Sequence, residues 1–217
     1  MNYNLLKDVV DLVQEFELEN ESFSDDIDGF KKWINRDLKN SEPIWEGKEQ
    51  GRSPESVINT MIVHMNRYAK SYSKSAIYGS DFSTQEDFIY LINLKAFGSM
   101  SKMELIKKNI QDKPSGMKII DRLLLSNWVE QKDSTLDKRS KIITITQKGL
   151  RTLEQQMDKI RQATKIVAAD LNEKEKMQLI ALLQKLDNFH KPLYEKNTDP
   201  SKFLNLAYST YLEAIEA

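Results

Sequence analysis

The segment from Trp128 to Gly149 has the sequence WVEQKDSTLDKRSKIITITQKG, and it determines how the rest of the chain is interpreted. It contains two short runs with β-strand composition, joined by a polar loop that ends in Asp-Lys-Arg-Ser-Lys. Three basic residues, Lys138, Arg139 and Lys141, lie within four positions of that loop. A hairpin tip this basic packs poorly, but it suits contact with phosphates or with a DNA minor groove. The segment therefore predicts a β-hairpin with an exposed basic tip.

Helix-start signals lie on both sides of this hairpin. The sequence SKME at 101–104 is a capping box that predicts a short helix, and Asp112 ahead of Pro114 predicts a second one. After the hairpin, Thr146 is placed to begin a long helix. Two short helices followed by a basic hairpin are typical of a helix-turn-helix with a wing. We therefore predict a mainly α fold, a winged helix-turn-helix with long dimerisation helices and a small β-hairpin wing over residues 128–146.

Amphipathic periodicity and capping signals predict further helices outside this region. They fall at 3–19, from Asp25 or Asp26 to about Leu38, at 53–78 from a Ser53-Pro54 start, at 83–98 from a box capped by Ser83, at 172–190 from a cap at Asn172, and within 191–217. Residues 39–53 contain one proline and two glycines and show no periodicity. The predicted organisation is an N-terminal helical extension (1–40), a linker (41–53), a DNA-binding and dimerisation domain (54–190) and a C-terminal helical extension (191–217).

Composition argues against several classes of function. The chain has no cysteine, which excludes disulfides and thiolate metal sites, and its two histidines, His64 and His190, are far apart. No glycine-rich phosphate loop, nucleophile elbow or His-Glu metal motif stands out. The N-terminus lacks a signal sequence, and no apolar run approaches the ~18 residues needed to span a membrane. We expect a cytoplasmic protein that is not an enzyme, with no membrane partner, cofactor or metal.

Charge is unevenly distributed although the net charge of the whole chain is only −1. Residues 1–30 contain one basic and nine acidic residues, a net charge of −8, whereas residues 107–151 contain eleven basic and five acidic residues, a net charge of +6. The basic segment coincides with the predicted helix-turn-helix and wing, which favours a nucleic-acid partner for that part of the chain.

These segments resemble the MarR family of bacterial winged-helix transcription regulators. The resemblance is carried by SKMELI at 101–106, IIDRL at 119–123, NWV at 127–129, DKRSK at 137–141 and ITITQKG at 143–149. It covers roughly residues 54–190, and its most specific part is the Asp-x-Arg of the wing followed by the Thr-x-x-Gly helix entry. Asn127 replaces a turn glycine that the family often has, and asparagine tolerates the same left-handed backbone. The recognition helix begins with KPSG at 113–116, which is richer in proline and glycine than usual.

The resemblance implies a partner and a mode of regulation. Family proteins are dimers whose first and last helices interlock, which implies this role for residues 54–78, 152–170 and 173–190. A two-fold homodimer presents two recognition helices about one DNA turn apart and favours a palindromic double-stranded operator. Many members release DNA when a small aromatic anion binds between the dimer and DNA-binding regions. The implied function is a sequence-specific dimeric regulator, a repressor that a small-molecule ligand releases.

Candidate DNA contacts fall in the wing and in the recognition helix. In the wing, Arg139 is expected to enter the minor groove or pair with a phosphate, oriented by Asp137, and the alternative is an exposed ion pair. Lys138 and Lys141 are backbone contacts or solvated charges.

In the helix, Lys113, Ser115 and Lys118 are expected on the outer side, facing phosphates or base edges. Arg122 is a DNA contact or a structural pair with Asp121 or an acid across the helix-turn-helix. Ser101 is interpreted as a cap that presents its helix N-terminus to a phosphate.

A candidate ligand pocket lies on the long first helix of the domain. His64, Met65, Tyr68 and Tyr72 fall on or near one side of that helix, and the alternative reading is a dimer or domain core. Two other functions stay open. One is a winged-helix module that no longer reads DNA and binds protein through its acidic N-terminal extension. The other is a small-molecule-binding helical protein without nucleic acid, which leaves the basic hairpin unexplained.

Overall fold

The structure is a computed structural model that describes residues 3–19, 22–34, 43–134 and 140–216. The chain divides into two compact units, residues 1–60 and residues 61–217. Within the described residues, no helix is long and apolar enough to cross a membrane. The predicted fold class, mainly α with a small β-hairpin wing, is confirmed, and a third short strand extends the hairpin.

The N-terminal unit begins with a helical hairpin formed by α1 (Tyr3–Glu19) and α2 (Ile27–Ile34). Phe16 packs edge-on against Phe30 and Trp33, with ring centroids 5.4 and 5.5 Å apart. The Asp26 carboxylate begins α2 by accepting a 2.7 Å hydrogen bond from the Gly29 backbone N–H. Both predicted helices are therefore present, while the predicted end of the second at Leu38 lies outside the described residues.

The predicted linker contains an ordered turn between residues 45 and 52. The indole N–H of Trp45 donates a 2.9 Å hydrogen bond to the Arg52 carbonyl, and the Arg52 guanidinium donates a 2.9 Å bond to the Thr60 hydroxyl. Gly47 and Gly51 both have positive φ, which the turn requires and glycine provides without strain. This turn leads directly into α3 (Pro54–Ala76), which begins at the predicted Ser-Pro signal.

Residues 61–217 contain the second half of α3 and the predicted winged helix. The elements are α4 (Gln85–Phe97), β1 (Met100–Ser101), α5 (Lys102–Lys108), α6 (Lys113–Leu125), β2 (Val129–Asp133), β3 (Lys141–Ile145), α7 (Gln147–Val167), α8 (Glu173–Glu195) and α9 (Pro200–Glu216). The caps predicted at Ser101, Asp112, Thr146 and Asn172 are all present. The helix-turn-helix is formed by α5 and α6, and the wing by β2 and β3.

The sheet has the strand order β1-β3-β2 and is antiparallel throughout. The predicted hairpin pairs Val129 with Ile145 and Asp133 with Lys141. The short strand β1, which pairs Met100 with Ile143, was not predicted because two residues are too few to show an alternating pattern. Ile143 is fully buried, so the sheet joins the helical core through β3.

The core lies between α4, the helix-turn-helix, β3 and α7. Its fully buried members are Tyr90, Leu91, Leu105, Ile120, Leu123, Ile143 and Leu153. Burying a leucine or isoleucine side chain contributes roughly 1.5–3 kcal/mol, so this cluster supplies the main cohesion of the winged helix.

Two predicted helix boundaries are wrong. The N-cap of α4 is Thr84 rather than Ser83, since the Asp87 carboxylate accepts backbone hydrogen bonds from both Ser83 and Thr84, each 2.9 Å long. Helix α8 was expected to end near residue 190, but it continues through Pro192 to Glu195. A proline costs a helix one hydrogen bond, and the burial of Leu193, only 2% exposed, stabilises the last turn against that loss.

Candidate nucleic-acid interface

The two helices of the helix-turn-helix cross very closely at Gly116. A Cβ atom built at this position would lie 2.5 Å from Cγ1 of Ile106, which is itself buried in the core. The glycine that made the start of the recognition helix look unusual is therefore a packing requirement of the crossing. Pro114 lies in the first turn of α6, where its missing N–H has no helical partner to lose.

Helix α6 has one buried side and one exposed side. Ile119, Ile120 and Leu123 are buried in the core, whereas the predicted contact residues Lys113, Ser115 and Lys118 are all exposed. The Asp112 carboxylate caps the helix with a 2.9 Å hydrogen bond from the Ser115 backbone N–H. That bond, together with the nearby Lys118 charge, lowers the pKa of Asp112. The structure thus brings the three predicted residues together on the first turns of the exposed side.

Arg122 points away from that side and pairs with a buried acid. Its Nε donates a 2.8 Å hydrogen bond to Asp87 Oδ1, its Nη2 also bonds Asp87, and a 3.1 Å bond reaches the Thr84 hydroxyl. Asp87 is fully buried and lies on α4. Of the roles considered for Arg122, the ion pair across the helix-turn-helix is observed, although its partner is Asp87 rather than Asp121. Sequence reasoning missed Asp87, because it is separated from Arg122 by 35 residues.

Ser101 forms the capping box that its sequence predicts. Its hydroxyl accepts a 3.2 Å hydrogen bond from the Glu104 backbone N–H, and the Glu104 carboxylate accepts a 2.7 Å bond from the Ser101 backbone N–H. These bonds from Ser101 hold the pKa of Glu104 below its ordinary value. The box fixes the start of α5 against the sheet, because Ser101 is also the last residue of β1.

The wing is described at its base but not at its tip. Asp137, Lys138 and Arg139 lie outside the described residues, so their predicted roles stay predictions. Lys141, at the start of β3, forms a salt bridge with Asp133 across the hairpin, and Lys132 pairs with Glu130 at 2.9 Å. Both pairs are exposed, so each cation remains accessible to a competing anion.

The root of the wing is tied to both flanking helices. Gly149 approaches the Trp128 carbonyl so closely that a Cβ atom would lie 2.1 Å from that oxygen. Lys148 donates a 3.0 Å hydrogen bond to the Ser126 carbonyl at the end of α6. Asn127 has φ = 57°, which confirms that it provides the left-handed turn expected there. The Thr-x-x-Gly entry is therefore a structural joint between recognition helix, wing and α7.

The residues predicted to form a ligand pocket are only partly brought together. Tyr72 lines an open cavity of about 590 Å³ between α3 and α7, with Tyr78, Lys74 and Lys159 among its other walls. Met65 and Tyr68 lie on the exposed side of α3 and are absent from this cavity wall, as is His64. The His64 and Tyr68 rings lie 6.3 Å apart.

No family model matches the chain. Among curated proteins, the chain is 34% identical over 86 residues to the HTH-type transcriptional regulator BilQ of Clostridium symbiosum, a match covering 40% of this chain and 60% of that protein. It is 28% identical over 103 residues to the HTH-type transcriptional repressor NicR of Pseudomonas putida, covering 48% of this chain and 65% of that protein. The chain therefore matches less than two thirds of the length of either relative.

Solved structures show the same fold at low sequence identity. One is Bordetella bronchiseptica BpsR, whose DNA binding is regulated by 6-hydroxynicotinic acid (TM-score 0.57, 19% identity, 67% of this chain and 98% of that chain). Another is a MarR mutant from E. coli in complex with operator DNA (TM-score 0.55, 22% identity, 59% of this chain and 92% of that chain). The chain thus has the winged helix-turn-helix fold of the MarR regulators and resembles that family in both sequence and structure.

Proposed function

We propose that this protein is a sequence-specific, DNA-binding transcription regulator that acts as a homodimer. The observation that carries the proposal is the asymmetry of α6, whose apolar side is buried while Lys113, Ser115 and Lys118 are exposed at its start. A second helix of a helix-turn-helix with this polarity suits insertion into a major groove, where ammonium and hydroxyl groups meet phosphates and base edges. The wing residues Lys138, Arg139 and Lys141 would contact the flanking backbone or minor groove, with Asp137 orienting Arg139.

Arg122 has a supporting role in this proposal. Because its guanidinium is engaged by Asp87 and Thr84, it holds α6 against α4 and does not read bases. Ser101 likewise orients α5, which crosses behind the recognition helix. DNA affinity is therefore assigned to the exposed lysines and the wing, and the orientation of α6 to the buried pair.

The proposed dimer is supported by apolar surface that one chain leaves uncovered. Exposed apolar residues occur along α3 and α8, and they include Met61, Ile62, Met65, Tyr68, Leu179, Ile180 and Leu183. Several large exposed apolar side chains on each helix favour an interaction site. A two-fold pairing through these helices would present two copies of α6 to one DNA face, which favours a palindromic operator.

Repression and release by a small molecule complete the proposed function. NicR is described as a repressor, and BpsR responds to 6-hydroxynicotinic acid. In this chain the open cavity beside Tyr72 is the candidate effector site, with His64, Met65 and Tyr68 on the adjoining surface of α3. An effector at this position would contact both α3 and α7, and would couple the pairing helices to the wing joint at the start of α7.

The test is fluorescence anisotropy against the duplex upstream of the protein's own gene and an unrelated duplex, over a salt series. We expect tighter binding to the first duplex and a steep loss of affinity with salt for both. Lys118→Ala should weaken binding and reduce the salt slope by about one unit, as expected for a lost phosphate contact. Lys185→Ala, on the polar side of α8, is the matched control. Absence of binding to either duplex at low salt would contradict the proposal.

A second function is favoured by the N-terminal hairpin. The segment 1–30 has a net charge of −8, while Leu5, Leu6, Val9 and Val10 of α1 are exposed. An acidic helix with an uncovered apolar side suits a basic protein partner. If the chain bound no DNA, this surface would make it a winged-helix protein-interaction module. Deleting residues 1–40 separates the two functions, because DNA affinity should then be retained.

A further inference from the structure

The turn between α5 and α6 contains a backbone conformation that its sequence does not favour. Ile110 has φ = 50°, in the left-handed region where the Cβ atom of an L-residue crowds the following carbonyl oxygen. In the parts of the chain that the structure describes, the other non-glycine residues with positive φ are Asn127 and Asn197, and asparagine tolerates this region. The Ile110 side chain is β-branched and 51% exposed, so its burial does not offset the cost. The turn is therefore strained at Ile110.

The backbone hydrogen bonds of the turn show why residue 110 must adopt this conformation. The Gln111 N–H donates a 3.2 Å bond to the Ile106 carbonyl, and the Ile110 N–H donates a 3.0 Å bond to the Lys107 carbonyl. These two bonds form a Schellman motif at the end of α5, in which the position of Ile110 is usually occupied by glycine. The motif directs the chain from α5 into α6. A strained conformation of this kind persists only where surrounding contacts hold it.

Two contacts from α4 hold side chains of the turn. The Asn93 side-chain amide donates a 2.8 Å hydrogen bond to Asn109 Oδ1. The Gln111 side-chain amide donates a 3.3 Å bond to the Glu86 carboxylate. These contacts lie on both sides of Ile110 in the sequence. Both act through side chains, so neither fixes the orientation of a peptide group within the turn.

The last turn of α8 supplies a bond to the backbone of the turn. The Tyr194 hydroxyl donates a 2.5 Å hydrogen bond to the Gln111 carbonyl. That carbonyl belongs to the peptide group that joins Gln111 to Asp112, whose carboxylate caps α6 by accepting the Ser115 N–H. The adjacent Leu193 is buried, so the turn of α8 that contains Tyr194 is itself anchored in the fold. One hydroxyl group thus connects the end of α8 to the start of the recognition helix.

We propose that Tyr194 is a positioning residue, which holds the strained turn in its left-handed conformation and thereby fixes the first turn of α6. Its consequence for DNA rests on the proposed function, because the candidate contacts Lys113, Ser115 and Lys118 lie in the helical turns that follow this peptide group. A displacement at the end of α8 would reach the recognition helix through this bond. Tyr194 lies beyond residue 190, where the sequence resemblance to the MarR family ends.

The experiment is amide hydrogen exchange, measured by NMR on the full chain without DNA. Tyr194→Phe removes the hydroxyl and keeps the ring, so the amides of Gln111 and Ser115 should exchange about threefold to tenfold faster, as expected for the loss of one hydrogen bond. Tyr211→Phe, at an exposed tyrosine of α9, is the matched control and should change neither rate. Unchanged exchange at both amides in Tyr194→Phe, or an increase confined to the last turn of α8, would overturn the proposal.

A second variant tests whether strain is the reason that the turn needs this contact. Ile110→Gly removes the steric cost, because glycine adopts positive φ freely, so exchange of the Gln111 amide should slow at least about threefold. The double variant should likewise exchange at least about threefold more slowly than Tyr194→Phe alone, since the two changes act on one turn in opposite directions. Faster exchange in Ile110→Gly than in the native chain would show that the turn is not strained and would reject the proposal.

DNA affinity provides a readout that a purely structural bond would not change. At a temperature where every variant is folded, Tyr194→Phe should weaken binding to the upstream duplex about threefold or more, because fewer chains hold α6 in the binding position. Adding Ile110→Gly should restore that affinity. Unchanged affinity in a Tyr194→Phe chain with accelerated exchange would reduce the bond to a structural role. If the native chain bound neither duplex, the proposed function would fail, while the exchange rates would still decide the role of Tyr194.

Discussion

Helices α6 and α8 have similar amphipathic sequences but opposite surroundings. In α6 the apolar residues Ile119, Ile120 and Leu123 are at most 6% exposed, because α4, α5 and the sheet cover them. In α8 Leu179, Ile180 and Leu183 are 43–48% exposed within the single chain. The same periodicity therefore marks an intramolecular core in one helix and an uncovered surface in the other. The difference separates what one chain stabilises alone from what a second copy would have to supply.

The largest effect is expected from substitutions on the exposed apolar side of α8. Leu179→Glu combined with Leu183→Glu should raise the concentration needed for dimer formation at least about hundredfold, since two carboxylates would be buried in an apolar interface. Sedimentation velocity over a concentration series measures this shift. Lys185→Glu, on the opposite side of α8, is the control and should leave the dimer intact. A dimer unaffected by the double change would remove α8 from the interface.

Among the buried contacts of α6, the ion pair between Arg122 and Asp87 should contribute most to the free energy of unfolding. Arg122→Leu should lower the free energy of unfolding by about 3 kcal/mol, because it leaves the Asp87 carboxylate buried with backbone donors alone. We place the value at the lower end of the usual range because the Arg122 side chain is 32% exposed. Urea denaturation measures it, with Lys118→Leu as the control on the same helix. Adding Asp87→Asn to Arg122→Leu should recover part of the loss, and no recovery would argue against the pair as the cause.

The close crossing of α5 and α6 at Gly116 should contribute less to the free energy of unfolding than this ion pair. Gly116→Ala should destabilise the fold by about 2 kcal/mol, because the added Cβ overpacks against Ile106. Denaturation of the neighbouring exposed variant Ser115→Ala gives the baseline. Combining Gly116→Ala with Ile106→Ala should cost less than the two single changes added together, because the Ile106 atoms that the new Cβ would meet are then absent. If Gly116→Ala proved as stable as the native chain, the close approach of α5 and α6 would be refuted.

The smallest expected effect is at the cap of α5. Ser101→Ala should cost about 1 kcal/mol. In the same box the folded pKa of Glu104 is lowered, so its stabilisation is present above the unfolded pKa and is lost as the pH falls through the folded pKa. The stability difference between the native chain and Glu104→Gln should therefore shrink between neutral pH and about pH 3. A difference independent of pH would show that the carboxylate does not act through its charge.

Local signals explain most of what could be predicted about the fold. The caps at Ser101, Asp112, Thr146 and Asn172 each depend on residues within three positions, and all four were predicted correctly. Two contacts that the sequence did not predict involve residues held from elsewhere in the fold. Asp87 is held by Arg122 in another helix, and the last turn of α8 is held by the burial of Leu193. Neither contact leaves a periodic trace in the sequence.

The residues of the candidate interface also fall into those that the sequence could predict and those that depend on distant contacts. The exposure of Lys113, Ser115 and Lys118 follows from helical periodicity alone, so it could be anticipated. The orientation of Arg122 could not, because its partner Asp87 lies 35 residues away in the sequence and on another helix. The joint at Gly149 needed the three-dimensional structure, since the carbonyl that excludes a side chain there belongs to Trp128.

That joint has a mechanical consequence. Helix α7 has 21 residues and is about 30 Å long. Its first turn is anchored to Trp128 and, through Lys148, to the end of α6. A tilt of about 5° about its far end would move the anchored end by about 3 Å, which is nearly one base-pair step of duplex DNA. The recognition helix and the wing would move together, so in the proposed dimer α7 would act as a lever that sets the distance between the two recognition helices.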